Sequence, residues 1–306
     1  MRFLASTAMR GRSQAVMLVS VLAMLSILIP PLSVFSSALV ALVTLRQGPV
    51  AGLSTGLLAG LACSVLALVV TGGVVPVLGF LLLLWFPVWL LALLLRMSRS
   101  LALTLQGALL LGVLFVGLQL LSSQDPVAQW RGVLEPFVES LVQSQLIEAG
   151  QRDELIGVMA RWMPGVVSAG FLLQMMVALF VARWWQAMLY NPGGFRSEFH
   201  QLRMPRYLAI VTLGVLALQA MGTTQSLLPD YLAVLLMAVW FIQGLALAHG
   251  AFGLLGSGSG WLVGIYALLL LAMPHAVSAL AAAGFADAWF DFRARLRGRN
   301  GTGEAG

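Results

Sequence analysis

The chain has 306 residues, of which 60% are apolar and 9% are charged, and its mean hydropathy is +0.96. A soluble domain carries about 25% charged residues, so this composition excludes an ordinary soluble fold and predicts a multi-pass membrane protein. The net charge of +6 comes from 17 basic residues, all arginine, against 11 acids. The arginines stand beside apolar stretches, so the lipid bilayer is the expected partner and nucleic acid is not.

Nine apolar segments follow one another along the chain. A helix needs about 20 residues to cross about 30 Å of hydrocarbon, so these segments predict an all-α, polytopic transmembrane helical bundle with about eight to ten membrane segments. The first two are short and meet at Pro30-Pro31, so they form either a hairpin of thin spans or one span with a re-entrant half. The segments cover about 14–29, 32–45, 49–70, 75–95, 101–121, 164–185, 207–223, 231–250 and 261–284.

A row of small residues with a spacing of four crosses the third apolar segment. Membrane helices tolerate glycine because their backbone groups bond within the helix, and a glycine row lets a neighbouring helix approach closely. The row therefore predicts tight helix packing. Part of it, Gly52–Gly56, also fits the G-x-S-x-G pattern of a hydrolase nucleophile elbow, but that motif requires a strand before a helix. The row consists of Gly48, Gly52, Gly56, Gly60 and Ser64.

The distribution of arginine predicts the topology. Clusters that share the inner side of the membrane must be separated by an even number of crossings. The segments satisfy this rule as far as Arg206, but three segments then remain before Arg293, which is an odd number. A break at Pro274-His275 restores an even number, because it divides the last segment into a thin hairpin of 261–273 and 276–291. We therefore expect both termini in the cytoplasm. The clusters lie at 2–12, 46, 96–99, 183–206 and 293–299.

Residues 122–163 interrupt the apolar segments with six acids and three arginines, and this negative balance predicts an extracytoplasmic insert. Asp125 and Pro126 have the pattern of a helix N-cap followed by proline in the first turn. Gly150 is expected to close this amphipathic helix, and a second helix is expected from Asp153 to Pro164. The helices are expected to lie on the outer membrane surface, with packing on the membrane domain as the alternative.

The end of the chain predicts an amphipathic, arginine-rich cytoplasmic tail over 285–306. Its apolar stripe is Phe285, Trp289, Phe292 and Leu296, and the opposite face has an expected i,i+4 ion pair between Asp291 and Arg295. Such a helix lies among lipid headgroups or docks a partner. The interface residues are Asp287, Asp291, Arg293 and Arg295. The chain thus divides into 1–121 and 164–284, each of transmembrane helices, the insert 122–163, and the tail 285–306.

Polar side chains inside apolar segments are the candidates for solute binding, because burial of a polar group in a membrane is expensive. We select Gln243, His249 and Gln174, although each glutamine amide can also be satisfied by a bond between helices. The three histidines of the chain lack the spacing of metal ligands, and no nucleotide-binding glycine motif is found. We therefore expect no enzymatic activity, no cofactor, no metal and no ATPase within this chain.

Three stretches, Asn191–Arg206, Phe241–Ala246 and Gly284–Arg293, together with the order of the spans, resemble the YybS-like family of bacterial membrane proteins, whose function is undefined. The resemblance covers essentially the whole chain. That family is grouped with the substrate-binding (S) components of energy-coupling-factor vitamin transporters. The resemblance implies a compact helical bundle in the bacterial cytoplasmic (inner) membrane, with a small-molecule pocket and a separate coupling subunit. The additional spans and the insert depart from the six-helix plan of S components.

Two functions from different classes follow. The first is a transporter-like or small-solute-binding integral membrane protein without its own ATPase, in which Gln243 and His249 contact the solute. The second is an envelope scaffold or assembly factor that acts through protein partners at the insert 122–163 or at the tail 285–306.

Overall fold

The computed structural model describes residues 1–71, 73, 75–221, 226–254 and 260–296, without the side chains at 70, 71, 76, 78 and 80. These residues form 14 α-helices and, within the described ranges, no strand, so the predicted all-α fold is confirmed. A π-helical stretch, Phe80–Trp85, joins α5 to α6, and a 3-10 turn, Ala149–Gln151, precedes α9. In chain order the helices are α1 (Arg2–Ala8), α2 (Arg12–Leu25), α3 (Leu32–Gln47), α4 (Pro49–Thr71), α5 (Val75–Gly79), α6 (Phe86–Ser98), α7 (Leu101–Ser122), α8 (Pro126–Gln143), α9 (Arg152–Tyr190), α10 (Gly194–His200), α11 (Arg206–Met221), α12 (Leu228–Leu254), α13 (Gly260–Leu271) and α14 (Met273–Phe290).

Five stretches of helix in the described chain are long and apolar enough to cross a membrane, and the protein is an integral membrane protein of the helical class. Four shorter apolar helices, α2, α3, α11 and α13, accompany them. The five stretches are Pro49–Val69, Leu81–Ser98, Leu101–Ser122, Ala149–Tyr190 and Leu228–Leu254.

Helix α9 packs against both central helices of the bundle, α3 and α12. The middle of α3, from Ala38 to Val43, is buried along its whole circumference, because α2, α4, α6 and α9 surround it. Helix α12 contacts α14, α9, α11 and α7. A helix that is apolar all round is expected at such a central position.

The last apolar segment divides as its proline predicts. Helix α13 ends at Leu271 and α14 begins at Met273, with Pro274 in its first turn. At a rise of 1.5 Å per residue, the 12 residues of α13 extend only about 18 Å, less than the thickness of a hydrocarbon layer. The two helices pack against each other and form a thin hairpin.

The prediction that a separate helix ends at Pro164 is wrong, because α9 runs without interruption for 39 residues. Proline lacks the N–H that would bond the Ala160 carbonyl four residues earlier, and packed membrane helices tolerate such a loss. The carbonyl oxygen of Pro164 accepts hydrogen bonds from Ser168 Oγ at 2.7 Å and from Gln119 Nε2 of α7 at 3.2 Å. At about 58 Å, α9 is long enough to cross the membrane and continue into the insert.

The first helix of the insert begins as predicted and ends earlier. Asp125 accepts the Ala128 N–H at 2.9 Å as an N-cap, and α8 ends at Gln143 rather than near Gly150. The insert does not consist of two free amphipathic helices, because α8 packs along α9. Arg152 of α9 forms ion pairs with Glu135 at 2.5 Å and with Glu139 at 3.1 Å, and these pairs link α9 to α8.

The predicted tail helix is also corrected. Helix α14 extends past the expected boundary at 285 and ends at Phe290, because Asp291 adopts a left-handed conformation with φ of 46°. Phe292 therefore does not continue the stripe that Phe285 and Trp289 begin. Of the predicted tail, residues 297–306 lie outside the described residues.

Loops rich in arginine meet at one end of the bundle, which we call the arginine end. Arg96 Nη1 of α6 donates to the Leu45 carbonyl of α3 at 2.6 Å. The Arg46 guanidinium lies 4.0 Å from the ring centroid of Tyr190, at the end of α9. Arg203, before α11, pairs with Asp291, after α14. The arginine clusters at 46, 96–99 and 183–206 thus lie at the same end of the bundle. Asp291, which precedes the cluster at 293–299, lies there too.

Candidate functional site

Gln243 is fully buried in α12, and every polar atom of its side chain is hydrogen-bonded. Its Oε1 accepts the Met204 N–H at 2.7 Å. Its Nε2 donates to the Gly284 carbonyl at 2.8 Å and to Asp287 Oδ2 at 3.3 Å. The amide therefore joins α12 to α14 and to the loop before α11, and it has no remaining donor for a solute.

Asp287 and Arg293 form a buried ion pair next to Gln243. Arg293 Nη2 lies 2.6 Å from Asp287 Oδ2, and the side chains are 6% and 0% exposed. Further bonds complete the pair: Phe292 N–H donates to Asp287 Oδ1 at 3.1 Å, and Arg293 Nη1 donates to the His200 carbonyl at 2.6 Å. A buried pair requires such additional partners to offset its desolvation.

The expectation of a surface tail carrying Asp287, Asp291, Arg293 and Arg295 therefore requires correction. The chain after α14 folds against α10 and the following loop, so Asp287 and Arg293 are internal. Asp291 binds Arg203 rather than Arg295. The Arg295 guanidinium instead lies 5.5 Å from the ring centroid of Phe290. Asp291 begins a new helical turn over 292–296 and accepts the Ala294 N–H on Oδ1 at 3.2 Å, while its other carboxylate oxygen pairs with Arg203.

His249 and Gln174 lie in different surroundings from Gln243. His249 is half-buried, with Nδ1 at 2.9 Å from the Leu245 carbonyl and Nε2 at 3.3 Å from the Tyr266 hydroxyl. Gln174 Nε2 donates to Ser33 Oγ at 3.2 Å, near the start of α3. Within the described structure these three predicted side chains share no hydrogen-bond partner.

The glycine row has several different environments. The prediction that Gly48 packs against a neighbouring helix is wrong. Gly48 lies between α3 and α4 with φ of 110°, and a Cβ there would meet no atom within 4 Å. A Cβ on Gly52 would lie 2.9 Å from Thr44 Cβ, so α3 and α4 approach closely there. Gly60 faces Leu81 at 3.1 Å, while Gly56 has free space up to Val40 at 4.0 Å.

Gly56 and Gly52 line an apolar groove of about 190 Å³ that α4 forms with the π-helical stretch and α6. Trp85 and Trp89 form its opposite wall. The last member of the row, Ser64, donates its hydroxyl to the Gly60 carbonyl at 2.8 Å within α4.

Among the described glycines, the closest approach to the backbone of a neighbouring helix lies elsewhere, between α12 and α14. A Cβ on Gly284 would lie 2.6 Å from the Gly244 nitrogen, and one on Gly244 would lie 2.6 Å from the Leu280 carbonyl carbon. Sequence reasoning missed this pair. The signal is present, because Gly244 precedes Ala248 by four residues and Gly284 precedes Ala288 by four, the small-xxx-small spacing of close membrane helices.

A cavity of about 480 Å³ opens at the arginine end between α3, α6, α9 and α10. Arg183 of α9 donates from Nε to Glu198 Oε2 at 2.8 Å and from Nη1 to Gln186 Oε1 at 2.9 Å, and Arg183 Nη2 pairs with Glu198 Oε1. Sequence reasoning used these arginines only as topology markers. The residues that line the cavity are Leu45, Leu95, Arg96, Arg99, Arg183, Gln186 and Glu198.

A second cavity at the same end, of about 340 Å³, lies between α10 and the end of α12. It is lined by Arg196, His200 and Arg293, among others. Burial lowers the pKa of His200, and the positive charges of Arg196 and Arg293 and the nearby His249 lower it further. Arg293 is already committed to Asp287 and to the His200 carbonyl, so this cavity offers fewer free donors than the first.

Comparison of the chain with protein-family models, with curated proteins and with solved structures finds no match. The resemblance to the YybS-like family stays a prediction. Among the described residues, no group of three histidine, cysteine or acidic side chains is placed to hold a metal ion.

Proposed function

We propose that the protein is a non-enzymatic, solute-binding integral membrane protein of transporter-like character, with its solute site at the arginine end. The observation that carries this proposal is the cavity of about 480 Å³ lined by Arg96, Arg99, Arg183 and Gln186. Its volume is within the range of about 300–1,000 Å³ that is usual for small-molecule sites. Convergent charged and amide groups supply the polar contacts that such sites need.

This proposal moves the solute site away from Gln243 and His249. The Gln243 amide is occupied by Met204, Gly284 and Asp287, so it supports the helix contacts rather than a ligand. His249 already contacts the Leu245 carbonyl and the Tyr266 hydroxyl. The cavity, by contrast, is open at the end of the bundle, and within the described structure the Arg99 guanidinium lines it without a hydrogen bond to the protein.

The positive-inside rule places the arginine end in the cytoplasm of a bacterial cell, with both termini on that side. If the protein acts as an S component, transport requires a separate coupling subunit and ATPases, since the sequence itself lacks a nucleotide-binding motif. A cavity on the inner side is suited to release or capture of a solute on that side of the membrane.

The test is a thermal-shift screen of the purified full chain with vitamins, nucleosides, organic acids and phosphorylated metabolites. We expect at least one class to raise the melting temperature of the wild-type protein and to have a smaller effect on Arg99→Gln. The Arg131→Gln variant, which removes the same charge from the insert, is the matched control. A panel without any stabilising solute would exclude the proposal.

A second function, an envelope scaffold, is favoured by the apolar surface of the insert. Val133 and Phe137 of α8 are 60% and 53% exposed, and Val158 of α9 is 54% exposed. A photo-crosslinking residue at Phe137 is expected to capture one reproducible membrane or envelope protein in cells, if the insert docks a partner. Capture of lipid alone would instead assign this surface to the membrane interface.

A further inference from the structure

We propose that the cavity at the arginine end binds a phosphate monoester, carried either by a small organic molecule or by phosphatidic acid of the membrane. This inference rests on the proposed solute-binding function and names the class of ligand. Guanidinium groups from α6 and α9, together with one amide, face a single space here, and each has a different role in the site.

The charge of the lining favours a dianion. Arg96, Arg99 and Arg183 contribute three positive charges and Glu198 contributes one negative charge, which leaves a net charge of +2 among the lining residues. A phosphate monoester carries about −1.5 to −2 near neutral pH, so it neutralises this lining. A single carboxylate would leave one arginine uncompensated.

The Arg183 guanidinium is held in place, because all three of its nitrogens bond to Glu198 or Gln186. Glu198 accepts hydrogen bonds on both carboxylate oxygens from Arg183, so this acid is neutralised rather than directed at the ligand. The third nitrogen of the guanidinium, Nη1, donates to Gln186 Oε1. This bond orients the Gln186 amide, and within the described chain its Nε2 makes no other hydrogen bond. Two amide N–H donors therefore remain for a phosphate oxygen.

Arg96 and Arg99 supply the open charged donors. Arg96 is held by one bond, from Nη1 to the Leu45 carbonyl at 2.6 Å, and its other nitrogens stay available. Arg99 ends α6 in a left-handed conformation with φ of 53°, a position where glycine is usual. Its exposed guanidinium makes no hydrogen bond within the described residues. Arginine forks match pairs of phosphate oxygens, and hydrogen bonds between two charged groups are about twice as strong as neutral ones.

The size of the cavity indicates more than inorganic phosphate. About 480 Å³ leaves room for an organic part, and Leu45 and Leu95 contribute the apolar residues of a mainly polar lining. The same geometry suits glycerol phosphate in solution and the terminal phosphate monoester of phosphatidic acid. The two ligands would be recognised by the same groups, and the experiment below distinguishes between them.

The experiment uses the full chain in phosphatidylcholine nanodiscs. Calorimetric titration with glycerol 3-phosphate and with malonate tests soluble phosphate against a matched carboxylate dianion. Native mass spectrometry of the protein after incubation with phosphatidic acid tests the lipid source. Arg99→Gln is the site variant, because this exposed side chain makes no hydrogen bond or ion pair with the described residues. Arg295→Gln removes the same charge from the same end without lining the cavity.

We expect binding of glycerol 3-phosphate or retention of phosphatidic acid, weakened about tenfold or more by Arg99→Gln and less than about twofold by Arg295→Gln. Equal weakening by both variants would show a general charge effect and overturn the site. Binding of malonate or of another non-phosphate solute alone, lost in Arg99→Gln, would overturn the phosphate inference and leave the proposed function standing. If no solute and no anionic lipid binds, both are overturned.

Discussion

Two glutamines in this protein differ in how far the helix bundle buries and hydrogen-bonds the side-chain amide. Gln243 and Gln174 both lie in apolar segments, yet Gln243 makes three hydrogen bonds and is fully buried, whereas Gln174 makes one and is half-buried. The two residues are alike in sequence terms, since each is a lone glutamine among apolar neighbours. Only the packing of α14 and of the loop before α11 on α12 gives Gln243 its partners.

Gln243→Ala is therefore expected to destabilise the protein, because the Met204 N–H and the Asp287 carboxylate would lose a partner inside the bundle. A buried polar group left without a partner costs about 1–3 kcal/mol, so we expect a loss of about 2 kcal/mol or more in the free energy of unfolding. Denaturant titration in detergent micelles measures this change. Gln174→Ala is the matched control, with an expected loss below about 1 kcal/mol. Equal losses in the two variants would contradict the assignment.

At the scale of helices, glycine is informative only where a partner helix meets it. The four-residue row in α4 is conspicuous in the sequence, but of its glycines only Gly52 and Gly60 are positions where an added Cβ would lie closer than 4.0 Å to a neighbour. The less conspicuous pair of Gly244 and Gly284 brings the backbones of α12 and α14 together. This contact positions Gln243 and Asp287 within reach of each other.

Gly284→Ala is expected to separate α12 from α14, since the added methyl group would lie 2.6 Å from the Gly244 nitrogen and close to the Trp240 carbonyl. Backbone atoms cannot move aside as a side chain does, so we expect a loss of about 1–3 kcal/mol in the free energy of unfolding, the range of an overpacked core. Gly56→Ala makes the same change where there is space, and we expect little effect. Thermal unfolding of both variants in the same detergent decides the comparison. Tolerance of Gly284→Ala would contradict it.

Apolar runs and local signals predict much of this fold. The apolar segments, the cap at Asp125 and the break near Pro274 each depend on a few neighbouring residues, and the helices follow them. The predictions of a helix end at Pro164 and of an exposed tail helix were wrong for a different reason. Whether a proline ends a helix depends on the packing of that helix, here of α9 against α7 and α12, and the burial of Asp287 depends on its ion pair with Arg293 beyond α14. The arginine-lined cavity likewise brings together residues from 45 to 198, which no local spacing relates.

For the whole molecule, the contacts among the loops determine which of them share a side of the membrane. Arg96 reaches the end of α3, Arg46 reaches the end of α9, and Arg203 reaches the end of α14. The distant end of the bundle holds the insert, where Arg161 of α9 pairs with Asp230 at the start of α12 at 3.0 Å. The length of α9 separates these two ends by more than the thickness of a hydrocarbon layer.

Labelling of single cysteines with a membrane-impermeant maleimide is expected to show this arrangement. In a Cys63→Ser background, Met97→Cys and Asn191→Cys lie at the arginine end, and Leu146→Cys lies in the insert. Met97 and Leu146 are 76% and 71% exposed, so these substitutions leave the core intact. In intact spheroplasts we expect labelling at 146 alone, and after permeabilisation at all three positions, because arginine-rich loops stay on the inner side. If 97 and 191 were labelled from opposite sides, the shared arginine end, and with it the cavity between α6 and α9, would be contradicted.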